Sequence, residues 1–390
     1  MAFAPFVPLR VLSSYSMLEG AIDPKAIARM AKQRGFPAIA ICDRNGLYGA
    51  MAFAKACKEE GVQPIVGTLL GVWRAGSEIV DYLPLYAQDE AGWHNLCHLV
   101  SKAHLERPLE LVPHVPFEDL AGHTDGLIAL TGACEGEATR LMAQGKAQRA
   151  RDALDRLAAL FPGRLYVELA RRGNAVEEAA EPGLIDLAYA TDLPLVATNP
   201  ANFAEPHMHA AHDAMLCIAH STHIDSAERP RSSPDAFVKS APMMEELFAD
   251  LPEAVANTLV VAQRCAFAPP KRTPILPSIA GDREGEARKL AEDARAGLAV
   301  RLAVYGELAP GERKAYEDRL AYEIGVINGM GFASIFWLSE LEDDLALPNE
   351  AEIVSRDLLD RGGVVAQLAD LTAQLGDVTA ERGVLVIRLR

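Results

Sequence analysis

No stretch of the 390 residues reaches 18 uninterrupted apolar positions, and no basic start leads into a long apolar run. Neither a membrane-spanning helix nor a signal peptide is therefore expected. The six cysteines, at 42, 57, 97, 134, 217 and 265, stand singly without a CxxC pair. That spacing argues against disulfides and zinc and for buried thiols in a reducing compartment, the cytoplasm. Basic residues are the scarcer sign, 38 Lys and Arg against 54 Asp and Glu, for a formal net charge of −16. Affinity for nucleic acid comes mostly from cations that neutralise phosphates, so this chain alone should bind it poorly; a protein partner or a small polar substrate suits it better. No GxGxxG follows the first strand and no GxxxxGK[ST] occurs, which removes support for a nucleotide-binding sheet. A GxSxG elbow is missing too, and Ser13-Ser14-Tyr15-Ser16, with no histidine nearby in sequence, reads as a hydroxyl-rich turn.

What is present is a chain that is 50% hydrophobic and long enough for two or three domains. From residue 6 to about 200 the apolar pattern switches repeatedly between period 2 and period 3.6. Strands are predicted near 7–12, 37–42, 63–73, 81–88, 125–132, 164–171 and 193–199. Helices are predicted over Pro24–Arg34, Leu47–Glu60, Glu90–Leu105, a pair within 135–161, and Ala175–Ala190. Asp23 suits an N-cap ahead of Pro24, and Gly35 and Gly61 suit left-handed C-terminal positions. Seven strands alternating with helices favour an α/β barrel, closed or nearly so, with an open doubly wound sheet as the alternative. After Phe203 the pattern is helical, at His207–His220, Met243–Phe248 and Pro252–Cys265. A proline-rich connector (268–279) precedes two further helices, Gly285–Tyr305 and Gly311–Gly329. The first of these carries apolar residues at 287, 290, 294, 298 and 302 on one face. Residues 337–390 start acidic, continue with Val364, Leu368, Leu371 and Leu375 at helical spacing, and end in a strand-like VLVIRLR.

Two loops organise the rest. FVPLRVLSSYSMLEGAID (6–23) is a strand breaking into a turn that closes on Glu19 and Gly20, and ICDRNGLYGA (41–50) delivers Asp43, Arg44 and Asn45 just before a helix. These two stretches, with NGLYGAMAFAKACKEEGVQPIVG, resemble motifs I and II of the PHP (polymerase and histidinol phosphatase) domain at the N-terminus of the bacterial DNA polymerase III alpha subunit family. MMEELFADLPEAVANTLVVAQRC (243–265) resembles the end of that domain and YEDRLAYEIGVINGMGF (316–332) the start of the polymerase thumb. The resemblance runs from Phe6 to about Phe336. It implies a PHP-type distorted (β/α)7 barrel over 1–275, a helical start of the thumb over 276–336, and an unassigned tail departing from the family over 337–390.

In that family the barrel mouth holds two or three metal ions. Mapped residue by residue, the resemblance puts Arg10 and Leu12 at the first His-x-His, Glu19 at the acidic position of the following turn, and Arg44 after a retained Asp43. Leu69 falls at a glutamate position, Leu83 and Arg172 at histidines, and Pro200 and Asn202 at the late Asp-x-His. Such a set cannot hold a cation cluster. The expectation is a plug in which Arg10, Arg44 and Arg172 pair with Glu19 and Asp43; the competitor is an anion site on the same arginines. A separate metal candidate is His209, His212 and Asp213, at i, i+3 and i+4 of a helix. The alternative reading makes them polar positions opposite an apolar face of Ala210, Ala214, Cys217 and Ile218.

By resemblance, then, the chain reads as the N-terminal piece of such an alpha subunit, with the rest of that subunit and its holoenzyme as partners. Its degenerate PHP site would serve as a scaffold that docks the epsilon proofreading exonuclease. DNA would be engaged only in the context of the full polymerase. The paired aspartates that bind magnesium in the family's palm are not found here, so no catalytic residue and no cofactor is assigned. The alternative is an active metallophosphoesterase or 3'-5' exonuclease with a rebuilt metal site, and whether the chain is itself an enzyme stays open.

Overall fold

The computed structural model describes residues 4–108, 110–272, 281–304, 306, 308–335, 378–381 and 384–387. The chain divides into two units, Met1–Lys271 and Arg272–Arg390.

In the first unit α1 (Pro24–Gln33) begins where predicted, with the Asp23 carboxylate accepting from the Lys25 and Ala26 amides and Pro24 at the first helical position. The elements then run β1 (Ala38–Arg44), α2 (Ala50–Glu60), β2 (Gln63–Trp73), β3 (Val80–Ala87), α3 (Glu90–Leu105), β4 (Val115–Pro116), β5 (Leu127–Leu130), α4 (Glu137–Ala143), α5 (Ala147–Leu160), β6 (Leu165–Ala170), α6 (Ala175–Thr191) and β7 (Leu195–Thr198). Helices α7 (His209–Ala219), α8 (Ala241–Leu247) and α9 (Pro252–Arg264) follow. Gly61 ends α2 with φ of 71°, the left-handed position that glycine occupies without strain.

The sheet order is β1-β2-β3-β5-β6-β7, with β4 paired to β2. All pairings are parallel except those of β3, which runs antiparallel to both β2 and β5. The cause is local: only six residues (74–79) join β2 to β3, too few for a crossover helix, so the chain must reverse. The architecture is thus the mixed α/β, curled half-barrel of the PHP type, and not an all-parallel ring.

The segment predicted as the first strand, 7–12, makes one isolated bridge, Val11 to Ala201, and is otherwise extended coil. It nonetheless lies between the two edges of the sheet. The Ala40 and Cys42 amides donate to the Pro8 and Val11 carbonyls on one side, while Leu12 and Ala201 exchange backbone bonds through the Ala201 and Arg10 carbonyls on the other. Three residue steps (8 to 11) face two (40 to 42), so one residue is extra, as in a β-bulge. That extra residue changes the face on which Arg10 emerges.

Alternation sorts the core. Ala38, Ala40, Cys42, Ile65, Leu69, Ile128, Leu130, Tyr166 and Val196 join Val7, Leu9 and residues of α9 in the cluster inside the curl. Ile39, Ile41, Val167 and Ala197 face the other way, under α1, α2, α4, α5 and α6. All six cysteines are free thiols, and four are buried.

In the second unit, α10 (Arg283–Val304) and α11 (Pro310–Met330) pack through Leu290 and Ile327 together with Ala333. The stripe expected on α10, at 287, 290, 294, 298 and 302, is buried or half-buried throughout. β8 (Val378–Glu381) and β9 (Val384–Ile387) form an antiparallel pair. The expected helical run at 364–375 and residues 273–279 of the connector lie outside the described residues.

Candidate functional site

The carboxyl end of β1 opens the site, and period 2 divides its two charged residues. Arg44 continues the inward series 38, 40, 42, whereas Asp43 continues the outward series 39, 41. Inside, Arg10 is 1% exposed and its Nη1 donates to both oxygens of Glu168, at 2.9 and 3.0 Å. Its Nη2 reaches Glu135 at 3.2 Å. Glu135 in turn accepts from Arg44 Nη2 at 2.7 Å, and Arg44 Nε donates to Glu19 at 2.6 and 2.8 Å. The result is one ion chain, Glu19–Arg44–Glu135–Arg10–Glu168, running from a side chain 37% exposed to one that is wholly buried. Arg44 also lies over the Tyr82 ring, 4.3 Å from its centroid.

The inner end is held on every side. Glu168 accepts from the Thr198 hydroxyl at 2.6 Å and the Gly132 amide at 2.9 Å, and its own amide donates to Thr131. Burial opposes the charge on Arg10, but the surrounding acids, Glu168 first, override it and hold the guanidinium above its ordinary pKa. Burial would likewise push Glu135 up; Arg44 and then Arg10 more than offset this and leave the carboxyl below its ordinary value.

Asp43 is bound differently from the expected plug. It pairs with no arginine, and instead accepts from the Ser13 amide and hydroxyl, both at 2.7 Å, and from the Ser16 hydroxyl at 2.8 Å. Its pKa is raised because burial outweighs these bonds. The hydroxyl-rich turn is therefore a cradle for this carboxylate. Gly20 closes the turn, with its amide on the Ser16 carbonyl, and a Cβ there would lie 2.0 Å from the Ser13 carbonyl oxygen.

Of the other candidate positions, Leu12, Leu69, Leu83 and Pro200 are buried. Asn202 ties the mouth together by donating from Nδ2 to the Glu19 carbonyl. Arg172 is set apart from the ion chain: its Nη2 binds Glu177 at 2.6 Å and lies 3.4 Å from Cys134 Sγ. Sequence reasoning placed Glu19 with the arginines but missed Glu135, Glu168 and Glu177. Glu168 carried a signal, a carboxylate at the parity of Tyr166 in the apolar run LYVELA; Glu135 and Glu177 carried none.

His209, His212 and Asp213 do share a helix face, and each is committed to protein partners. Asp213 binds Arg229 through both oxygens, at 2.8 and 2.5 Å, and the Ser232 amide at 2.9 Å. His209 lies 3.0 Å from the Ser232 carbonyl. His212 bridges Ser232 Oγ and the Glu19 carbonyl, at 2.6 and 2.8 Å. The apolar face expected on α7 is corrected: Ala210, Ala214 and Ile218 are exposed, and only Cys217 of that set is buried. Hydrogen bonding to the loop at 229–232, not hydrophobicity, turns this helix. Among the described residues no three His, Cys, Asp or Glu side chains are placed to hold a metal ion. At the mouth the donor set does not fit one either, since two guanidinium groups stand among carboxylates already spent on them.

Residues 8–172 match the PHP domain family. The chain is 44% identical over 338 residues to the DNA polymerase III subunit alpha of Caulobacter vibrioides, covering 85% of this chain and 29% of that protein. With the same subunit of Rickettsia conorii identity is 33% over 338 residues, and with that of Escherichia coli K12 it is 35% over 341, covering 85% of this chain and 28% and 29% of the relative. The chain belongs with the N-terminal, PHP-bearing part of DNA polymerase III alpha subunits. It spans somewhat under a third of the length of the curated relatives it matches. The ion chain thus crosses the mouth of a PHP domain: Arg10, Glu19, Arg44, Glu135 and Glu168 all lie within the matched residues.

Proposed function

We propose that the chain works in DNA replication as part of a polymerase III alpha subunit, in which the PHP domain is a metal-free scaffold that docks the epsilon proofreading exonuclease. One observation carries this reading. The ion chain from Glu19 to Glu168 fills the mouth with fixed guanidinium charge, so each of its carboxylates has a cationic partner without a metal and the two sides of the curl are joined. Residues 1–275 form the PHP domain on this reading, 276–336 the beginning of the thumb, and 337–390 a tail of separate character. No helix among the described residues is long and apolar enough to cross a membrane, in keeping with work beside other replication proteins.

The test is calorimetric titration of the full chain with the epsilon exonuclease of the same genome, alongside elemental analysis of untagged protein. Saturable 1:1 binding with metal far below one equivalent is the expected result. Absence of binding by a cooperatively melting chain removes the docking role. Stoichiometric zinc or manganese removes the metal-free scaffold and favours a rebuilt phosphoesterase site.

A further inference from the structure

Carboxylates outnumber guanidinium groups within the mouth, three to two, and the reverse holds along its rim. Arg74, one residue beyond β2, and Arg156 of α5 share Glu137, and Arg140, three residues along α4 from Glu137, holds Asp81; burial, then the charges of Arg156, Arg140 and Arg149, keep the Arg74 guanidinium below its ordinary pKa. Two carboxylates serve them. Asp81 accepts from Arg140 through Nε and Nη2, at 2.9 and 2.8 Å. Glu137 accepts from Arg74 and, at 3.4 Å, from Arg156. Arg149 is exposed to solvent and makes no ion pair within 4.0 Å among the described residues. Asp152, one turn from both Arg149 and Arg156 on α5, is hydrogen-bonded by Gln148 at 2.9 Å. Glu137 is two residues from Glu135 of the ion chain, so the cluster stands beside the sealed mouth.

We propose that this arginine cluster binds a phosphate group. Four guanidinium groups stand against Asp81, Glu137 and, one turn away, Asp152, so positive charge is in excess, and a phosphate carrying about two negative charges at neutral pH is attracted to it. Guanidinium forks address phosphate oxygens in bidentate pairs, as they already address the oxygens of Asp81. The inner members are poorly hydrated, with Arg74 and Arg140 side chains 21% and 23% exposed, so their charge is weakly screened. Arg149 and Arg156, the latter 42% exposed, face solvent where an anion arrives. The net charge of −16 repels an extended polyanion, which selects a single phosphate, either free or at the end of a strand. The site is independent of what docks on the scaffold.

The experiment uses the full chain in phosphate-free buffer, titrated with inorganic phosphate by calorimetry and, by fluorescence anisotropy, with short oligodeoxynucleotides ending in a 5'-phosphate or a 5'-hydroxyl. Arg149→Ala/Arg156→Ala is the test variant. Arg151→Ala, whose arginine pairs with Asp155 on the same helix, is the control. Saturable binding of phosphate or of the 5'-phosphorylated strand, weakened at least about tenfold in the test variant and unchanged in the control, supports the site; the tenfold is the loss expected when hydrogen bonds to a charged group go. Binding of inorganic phosphate identifies the free anion as the source, and binding of the phosphorylated strand alone identifies a strand terminus. No saturation with either probe, equal loss in both variants, or equal binding of the 5'-hydroxyl strand overturns it. Both altered side chains are exposed, and an unchanged melting midpoint verifies the fold.

Discussion

Replacing Arg10 with methionine removes the inner cation of the ion chain without opening much space. The guanidinium is 1% exposed and bonds to Glu168, whose side chain is wholly buried. After the change the Glu168 carboxylate keeps the Thr198 hydroxyl and the Gly132 amide but loses its counter-charge. Removing one member of a buried pair costs about 3–5 kcal/mol, mostly because the other charge is left uncompensated. At about 2–4 °C per kcal/mol for domains of this size, the melting midpoint should fall by about 10 °C. The decisive comparison is the double variant Arg10→Met/Glu168→Gln. Glutamine keeps an oxygen for Thr198 or Gly132 and carries no charge, so most of the lost stability should return. Urea denaturation of the full chain followed by circular dichroism reads both variants. If Arg10→Met melts like the parent, or the double variant is as unstable as the sum of its two single changes, the pairing argument is wrong.

The pH dependence of Glu135 should have the opposite sign from that of Asp43. Glu135 is held below its ordinary pKa, so it contributes stability above the ordinary carboxylate value and loses it as pH falls through the lower folded value. The advantage of the parent over Glu135→Gln in urea should therefore shrink on acidification. Asp43 is raised, so its contribution is fullest below the ordinary aspartate value and declines as pH rises through the folded value; the parent should gain on Asp43→Asn as pH falls. An invariant difference across pH 3 to 7 (about the span of the ordinary carboxylate values) would refute either assignment. Gly20→Ala drives a methyl into the Ser13 carbonyl and should cost about 1–3 kcal/mol by forcing the turn open, measured as a shift in the urea midpoint. His212→Ala deletes the bridge from α7 to the Glu19 carbonyl, with an expected loss of about 1–3 kcal/mol from unpaired buried groups and faster amide exchange in residues 13–20.

The βα order, helix limits and caps were legible because each rests on local chemistry: Asp23 before Pro24, Gly61 after α2, and the apolar stripe of α10. The reversal at β3 is legible only in part: the short gap between β2 and β3 leaves no room for a crossover helix, but apolar alternation is the same for a parallel and an antiparallel strand. The site was harder. Asp43 and Arg44 read from sequence as members of one plug, although period 2 along β1 sets them on opposite faces, and Arg10 depends on an extra residue between Pro8 and Val11 that apolar alternation does not reveal. Glu135 is brought to the mouth by a short turn after β5, and Glu177 meets Arg172 by way of α6. Neither approach is written in the residues themselves. On α7, hydropathy gave the wrong face, because the hydrogen bonds that Asp213 accepts from one short loop, and that His212 shares with it, outweigh the burial of a few alanines.

The order of exposure along the ion chain bears on what the PHP domain can do. A carboxylate at the mouth could be neutralised by a removable metal or by a covalently attached cation, and the two differ in what they permit. A metal leaves an open coordination position for water and a substrate oxygen. A guanidinium has five donors and no acceptor, and cannot deliver hydroxide. With Arg10 paired to Glu168 and Glu135, and Arg44 to Glu19 and Glu135, the scaffold reading leaves the mouth a structural role, in which each charge fixes another. On the scaffold reading, this is why the carboxylates must stay once the arginines are present. Loss of Glu135 would leave Arg10 to Glu168 and Arg44 to Glu19, two separate pairs with no charged group joining them.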